Sequence, residues 1–164
     1  MPLPIEAPTS PANALTALVI EVFRLNGGLL VAGDALVRGL GLTSARWQVL
    51  GAIALSPTPL PVAHIARNMG LTRQAVQRVV DDMRKDGLVQ LDHNPHHRRA
   101  MLVTMTKDGE AAYGQASSLQ QGWASDLALG LSADTIEVAT LLLRTLKQRV
   151  EGASVPVNAG SLED

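Results

Sequence analysis

The chain has 164 residues, which is the size of one globular domain or of one compact unit with tails. Hydrophobic residues make up 46% of it and charged residues 18%, a balance that excludes an intrinsically disordered protein. The absence of cysteine excludes a disulfide framework, thiolate metal sites and thiol-based catalysis or redox sensing. Because few side chains are aromatic and most apolar ones are aliphatic, the composition favours a mostly α-helical fold.

The N-terminal segment is rich in proline and carries no basic residue before Arg24. Four prolines within residues 1–11 disfavour a helix and predict a flexible arm. Without a basic stretch ahead of an apolar run, we expect no secretory signal and a cytoplasmic protein. The uninterrupted apolar runs are far shorter than the ~20 residues of a membrane span, so no membrane partner is expected.

Helical spacing of apolar residues predicts a long helix from Asn13 to about Arg38, with a kink or a close backbone contact at Gly27 and Gly28. A second helix, about residues 44–55, is predicted after the cap Thr43. Its expected inner face consists of Trp47, Leu50, Ile53 and Ala54. Three prolines between residues 57 and 61 then predict a break.

A short helix, a tight turn and another helix follow. Apolar residues spaced i, i+3, i+4 and i+7 predict a helix from Val62 to Met69, Gly70 and Leu71 form the turn, and Thr72 is the next N-cap. After residue 87 the apolar period indicates two short strands, joined by the polar, histidine-rich segment 92–99. This order predicts a helix-turn-helix followed by a β-hairpin.

The last third of the chain predicts two more helices, at about residues 107–129 and 133–150. Thr106 and Ser132 are their expected N-caps. The final helix has few fully polar faces, so it needs a partner. Residues 152–164 mix Gly, Pro, Ser and acids, and we expect them to be disordered.

Charge is unevenly distributed along the chain. Residues 64–107 contain eight basic and four acidic residues, a net charge of +4, and all four histidines, whereas the remainder carries −5. An acidic frame around a basic middle is expected when only the middle meets a polyanion.

The helix after Thr72 has one apolar and one polar face when its residues are placed at about 100° intervals. The polar face presents side chains of the types that bind base edges or phosphates, namely Thr72, Arg73, Gln74, Gln77 and Arg78. The hairpin adds His97, Arg98 and Arg99, which are expected to contact an adjacent minor groove or its phosphates. Thr72 has the alternative role of a cap alone. The pattern predicts a recognition helix and a wing, that is, a winged helix-turn-helix.

Three segments resemble the MarR family of transcription factors (multiple antibiotic resistance regulators). They are LTSARWQVLGAI, LPVAHIARNMGLTRQAVQRVVDDMRKDGLV and NPHHRRAMLVTMTKDGEAA. The resemblance covers about residues 13–150 and implies a mostly α (α+β) fold with a two-stranded wing. It implies one domain over residues 12–151, with dimerisation helices at about 12–39 and 107–151 around a winged helix-turn-helix at about 43–106. The family usually has Asp shortly before the wing-tip arginine, where this chain has His97.

The same resemblance implies a homodimer that binds a pseudo-palindromic DNA duplex with two recognition helices in successive major grooves. Many relatives are repressors released by small aromatic or phenolic ligands that bind between the dimerisation helices and the DNA-binding lobe. Trp47 and Arg46 are the candidate ligand contacts. Core packing is the favoured alternative for Trp47, and solvation is the alternative for Arg46.

Other functions remain as alternatives. The chain has no Gly-rich phosphate loop, nucleophile elbow or H-E-x-x-H motif, so no enzyme activity and no cofactor are predicted. A winged-helix adaptor that binds proteins is one alternative to a DNA-binding regulator. A regulator that senses zinc through His93, His96 and His97 is another, although a solvated wing tip is the favoured interpretation and no metal site is predicted.

Overall fold

The computed structural model describes residues 10–97 and 99–153. Helix α1 spans Pro11–Val37 and continues into a short 3₁₀ helix, Arg38–Leu40. Helix α2 spans Ser44–Ala54, strand β1 Leu60–Pro61, helix α3 Val62–Met69 and helix α4 Arg73–Lys85. Strands β2, Val89–Asp92, and β3, Leu102–Met105, precede helices α5, Lys107–Leu127, and α6, Ala133–Gly152. The mostly α fold with a small sheet is confirmed.

The predicted caps are at the ends of their helices. The hydroxyls of Thr43, Thr72 and Ser132 each accept a hydrogen bond from a backbone N–H in the first turn of α2, α4 and α6, and Thr106 does the same for α5. Helix α1 begins earlier than expected, at Pro11 after the cap Ser10. Proline is tolerated in the first helical turn, where its missing N–H has no intrahelical partner, so assigning Pro11 to the flexible arm was wrong.

The sheet has three strands in the order β1-β3-β2: the predicted two-stranded wing, β2 and β3, is confirmed, and β1 is an additional strand that was not predicted. Strands β2 and β3 pair antiparallel from Val89↔Met105 to Asp92↔Leu102. On the other side of β3, the residues of β1 pair as Leu60↔Val103 and Pro61↔Leu102. Proline is compatible with an edge strand, which explains how a segment interpreted as a break also forms a strand.

A buried core holds α2, α3, α4 and the sheet together. Its fully buried side chains include Leu50 of α2, Ile65 of α3, Val80 and Met83 of α4, and Val103 of β3. Trp47 and Ile53 pack against this core partly buried, whereas Ala54 is exposed, so its assignment to the inner face of α2 was wrong. The core fixes α4 with its polar face toward solvent.

Helix α1 is exposed over most of its length; Gly33 and Val37, near its C-terminal end, are its buried residues. It continues through Gly27 and Gly28, and an added Cβ at either position meets no atom of another element within 4 Å, so the expected backbone contact is absent from the described chain. By length and composition, Pro11–Leu40 is long and apolar enough to cross a membrane, with a mean hydropathy of 1.6. No membrane span was predicted from the sequence because only uninterrupted apolar runs were counted, whereas the mean hydropathy of a whole helix also tolerates single polar residues. A helix that packs against another protein meets the same criterion.

The described chain divides into two compact units, one ending at Gly122 and the other beginning at Trp123, within α5. In the first unit, the first turn of α5 lies directly against the backbone of Leu88. A Cβ added to Gly109 collides with the Leu88 carbonyl oxygen, so glycine is required there. In the second unit, none of the residues of α6 is buried, and apolar side chains such as Val138 and Leu141 are exposed.

Candidate nucleic-acid interface

The turn between α3 and α4 is set by Gly70, which adopts a left-handed φ of 65°. The backbone N–H groups of Gly70 and Leu71 donate to the carbonyls of Arg67 and Ala66, at N···O distances of 3.2 and 2.9 Å, and so close the end of α3. Helix α4 then begins at the Thr72 cap, whose Oγ1 accepts from Ala75 N–H at 3.2 Å. Thr72 therefore has a structural role at the first turn of this helix.

The polar face of α4 is open to solvent. Arg73, Gln74 and Arg78 are exposed, and Gln77 is half-buried. Among the described residues, neither Arg73 nor Arg78 forms an ion pair, so both guanidinium groups keep their charge uncompensated. An unpaired arginine on an exposed helix face is free to bind a phosphate or a guanine edge.

Gln77 has a partner that was not expected from the sequence. Its Nε2 donates to Asp81 Oδ1 at 3.0 Å, one turn further along α4. Because the carboxylate only accepts hydrogen bonds, this contact directs the amide nitrogen toward Asp81 and leaves the amide oxygen without that constraint. The i, i+4 spacing of these two residues is a signal from which the contact was predictable.

The wing tip is ordered by Asn94. Its side-chain oxygen accepts from His96 N–H at 3.0 Å, and its carbonyl accepts from His97 N–H at 3.3 Å. This local turn places His97 and Arg99 on the surface, whereas Arg98 lies outside the described residues. Below the tip, Thr104 Oγ1 donates to Asp92 Oδ2 at 2.6 Å and joins the two wing strands. The strong turn tendency of Asn-Pro was the sequence signal for this loop.

An open groove of about 1110 Å³ lies between the wing, α3 and the start of α4. It brings together side chains that are distant in the sequence; His64 and Arg99, for example, both line it and lie 35 positions apart. The other polar and basic side chains that line it are Thr58, Arg73, Gln77, Asn94, His96 and His97. The groove thus combines the predicted recognition helix and wing in one positively charged surface. The exposed His64 also lines this surface, although it was not predicted from the sequence as a DNA contact.

The two candidate ligand contacts lie elsewhere, on α2. Arg46 Nη2 forms an ion pair with Asp86 Oδ2 at 2.6 Å, and Trp47 is half-buried against the core. Arg46 is therefore neither simply solvated nor unpaired. The pairing was not predictable from the sequence, because the two residues are 40 positions apart and meet only after α2 packs on α4.

The wing histidines are not arranged as a metal site. Within residues 10–97 and 99–153, no group of three or more His, Asp or Glu side chains is placed to hold a metal ion. The zinc-sensing alternative therefore gains no support from the described part of the wing.

Comparison with known sequences shows the family to which the chain belongs. The MarR family model matches residues 40–100, which include the whole helix-turn-helix, the first wing strand β2 and the wing tip. An uncharacterised protein of Mycobacterium tuberculosis is 41% identical over 98 residues, which is 60% of this chain and 67% of that protein. The chain belongs to the MarR family. The transcriptional activatory protein BadR of Rhodopseudomonas palustris is similar over a longer stretch, with 27% identity covering 89% of this chain and 87% of BadR.

Two solved structures share the fold of this chain. MosR of M. tuberculosis, in complex with DNA, superposes with a TM-score of 0.69 at 24% identity, over 84% of this chain and 98% of MosR. CouR of Rhodococcus jostii RHA1, bound to p-coumaroyl-CoA, has a TM-score of 0.71 at 20% identity, over 79% of this chain and 91% of CouR. The structures show the same fold, and membership of the MarR family makes the chain a winged-helix, DNA-binding transcription regulator rather than an enzyme.

Proposed function

We propose that this MarR-family chain acts as a homodimer that binds a pseudo-palindromic DNA duplex, and that a small aromatic ligand weakens this binding. The observation that carries the proposal is the groove between α4 and the wing, lined by Arg73, Gln77 and Arg99. Its cations are unpaired within the described chain, as a surface that exchanges counterions for DNA phosphates requires. MosR, with the same fold, has been solved on DNA.

Each side chain has a proposed role. Helix α4 enters the major groove, where Arg73 and Gln77 contact base edges and Gln74 and Arg78 contact bases or the flanking backbone. The wing, through His97, Arg98 and Arg99, follows the adjacent minor groove and its phosphates. Thr72 acts through the cap of α4. These roles separate sequence discrimination on α4 from general affinity in the wing.

Dimerisation is proposed from the uncovered apolar surface of the long helices. The exposed large hydrophobic side chains of α1 are Leu15, Val19, Ile20, Phe23, Leu25, Leu29, Leu30 and Val31. Those of α6 are Ile136, Val138, Leu141, Leu142, Leu143 and Val150. Apolar surface on this scale marks a protein interface, and a second copy of the chain provides apolar helices of the same kind. Packing of a second chain against α1 would also explain the high mean hydropathy of this helix without a membrane.

The ligand response is proposed from the family and from α2. CouR, of the same fold, is bound to p-coumaroyl-CoA, an aromatic acyl thioester. In this chain the half-buried Trp47 offers an aromatic surface, and Arg46 is the nearby cation, which an acidic ligand has to share with Asp86. A ligand that binds one spacing of the two recognition helices better than the other shifts the dimer away from DNA. Such a regulator acts on chromosomal DNA in the cytoplasm.

Repression remains a prediction. BadR, which is similar to this chain, is a transcriptional activatory protein, so similarity to it does not favour repression. The sign follows from where the duplex lies relative to a promoter. A reporter assay that places the bound duplex over a promoter and then upstream of it determines the sign.

The experiment for the proposed function is fluorescence anisotropy of the purified protein on its own upstream DNA and on a scrambled duplex, across a salt series and with a panel of aromatic acids. We expect selective binding that falls steeply with salt, and one compound that weakens it. Equal, salt-insensitive binding to both duplexes would favour the protein-binding adaptor. The unpaired Arg73 and Arg99 have no evident use in such an adaptor.

A further inference from the structure

Two charged residues lie at helix ends whose dipole charge has the same sign as their own. Arg46 is in the first turn of α2, after the cap Thr43, and Asp86 is the C-cap of α4. The N-terminus of a helix carries partial positive charge and the C-terminus partial negative charge. Each residue is therefore destabilised by its own helix, and each needs a compensating charge from another element.

Each supplies that charge to the other. Arg46 Nη2 lies 2.6 Å from Asp86 Oδ2, and the arginine side chain is only 22% exposed. The other ion pairs of the described residues, Glu21–Arg24, Asp82–Lys85 and Lys147–Glu151, each lie within one helix. In the described part of the chain, Arg46–Asp86 is thus the ion pair that connects two elements.

The same turn of α2 is also attached to α1. Ser44 N–H donates to Asp34 Oδ1 at 2.6 Å, and the buried Ser44 hydroxyl donates to the Leu30 carbonyl at 2.8 Å. A Cβ added to Gly33 would lie 2.5 Å from Ser44 Oγ, so the two helices have no room for a larger residue there. The first turn of α2 therefore contacts the C-terminal part of α1 on one side and the end of α4 on the other.

We propose that Arg46 and Asp86 are positioning residues for DNA recognition. Their ion pair fixes the C-terminal end of α4 against α2, and through α2 against α1, so that Arg73 and Gln77 are presented at one angle. The inference rests on the proposed function, because it concerns the helix proposed to enter the major groove. The core holds α4 through Val76, Val80 and Met83, and the ion pair adds a second restraint beyond Met83, at the C-cap of the helix.

The test compares Asp86→Asn with Asp82→Asn. Both changes remove one negative charge near the end of α4 and break one ion pair, so their general effect on phosphate attraction is matched. Only Asp86→Asn removes the ion pair between α4 and α2, while the core contacts between the two helices remain. We expect it to bind a selected duplex about three- to fivefold more weakly than Asp82→Asn, with equal binding to scrambled DNA.

Restoring the pair in reverse is the second arm. The double variant Arg46→Asp with Asp86→Arg keeps the net charge. Selectivity is measured as the logarithm of the ratio of the affinities for the selected and the scrambled duplex, and we expect the double variant to recover at least half of what Asp86→Asn loses. Equal ratios for Asp86→Asn and Asp82→Asn would overturn the inference. So would a double variant that is no more selective than Asp86→Asn.

A measurement without DNA separates this inference from the proposed function. The Leu88 N–H donates to the Met83 carbonyl at 2.9 Å at the end of α4, so its amide hydrogen exchange reports how firmly that end is held. We expect faster exchange in Asp86→Asn than in Asp82→Asn. If wild-type protein selects no duplex, the proposed function fails, and the exchange rates still decide whether Arg46 holds α4. Equal rates would then overturn the inference as well.

Discussion

The winged region, from α2 to β3, and the long helices α1 and α6 contain similar apolar residues but differ in how far these residues are buried. In the winged region Leu50, Ile65 and Met83 are fully buried, and the surface proposed to meet DNA is polar. In α1 and α6 most of the large apolar residues are exposed, Phe23 at 71% and Val138 at 67%, although Val37 at the end of α1 is buried. The first region forms its core within one chain, whereas the apolar faces of the long helices are the surface for which we propose a second chain as cover. Under the proposed function, the difference teaches that DNA recognition and assembly are encoded in separate parts of this sequence.

The largest expected effect comes from charging an exposed apolar residue in each region. Phe23→Asp should break the proposed dimer and lower affinity for a two-half-site duplex by about a hundredfold or more, because the two recognition helices then bind separately. Leu55→Asp, at a residue that is 83% exposed in the winged region, is the matched control and should leave both unchanged. Light scattering measures whether the particle keeps twice the chain's mass of 17.3 kDa. A Phe23→Asp protein that stays dimeric would refute the contrast.

A second comparison lies within the winged region, between α4 and the wing. Arg73→Ala should lower affinity for a selected duplex about tenfold or more and relax base preference, because a guanidinium contact to a base is worth ~1–3 kcal/mol. Arg99→Ala should weaken selected and scrambled duplexes alike and flatten the salt dependence. Anisotropy titrations on both duplexes distinguish these outcomes. Identical losses for the two variants on both duplexes would contradict the assigned roles.

The tightness of packing differs along α5 as well. Gly109→Ala should lower the free energy of unfolding by about 1–3 kcal/mol, because the added Cβ meets the backbone of Leu88, which cannot rotate away. Gly114→Ala is the control on the same helix, where a Cβ meets no atom within 4 Å, and helix propensity should make it neutral or slightly stabilising. Urea denaturation followed by circular dichroism measures both. Equal effects would show that α5 is no more closely packed at Leu88 than further along.

The smallest expected effect concerns Thr72. Thr72→Ala should lower the free energy of unfolding by about 1 kcal/mol, because the N–H of Ala75 loses its acceptor, whereas Thr72→Ser should keep it. If the threonine acts only as a cap, Thr72→Ser binds a selected duplex like the wild type. A stable Thr72→Ser protein with reduced selectivity would assign Thr72 a direct contact with DNA. Thermal melting and anisotropy on the same samples measure the two effects.

What the sequence predicts well here is local. The bounds of α3 and α4 were predictable from the periodicity of their apolar residues. The Thr72 cap was predictable because its hydroxyl needs to reach only Ala75, three residues further along the chain. Strand β1 was not, because two residues form a strand only when β3 lies beside them. The Arg46–Asp86 pair has the same origin. Both depend on contacts between distant segments, for which a single sequence holds no periodic signal.

Hydroxyl-radical footprinting of the protein on a selected duplex tests the proposed assembly most directly. Two α4 helices related by the symmetry of a dimer should protect two tracts whose centres lie about one helical turn, or ~10 base pairs, apart, with matching half-site sequences. Phe23→Asp should abolish this paired protection. A single protected tract under wild-type conditions, or protection that ignores sequence, would contradict a homodimer that recognises DNA through α4.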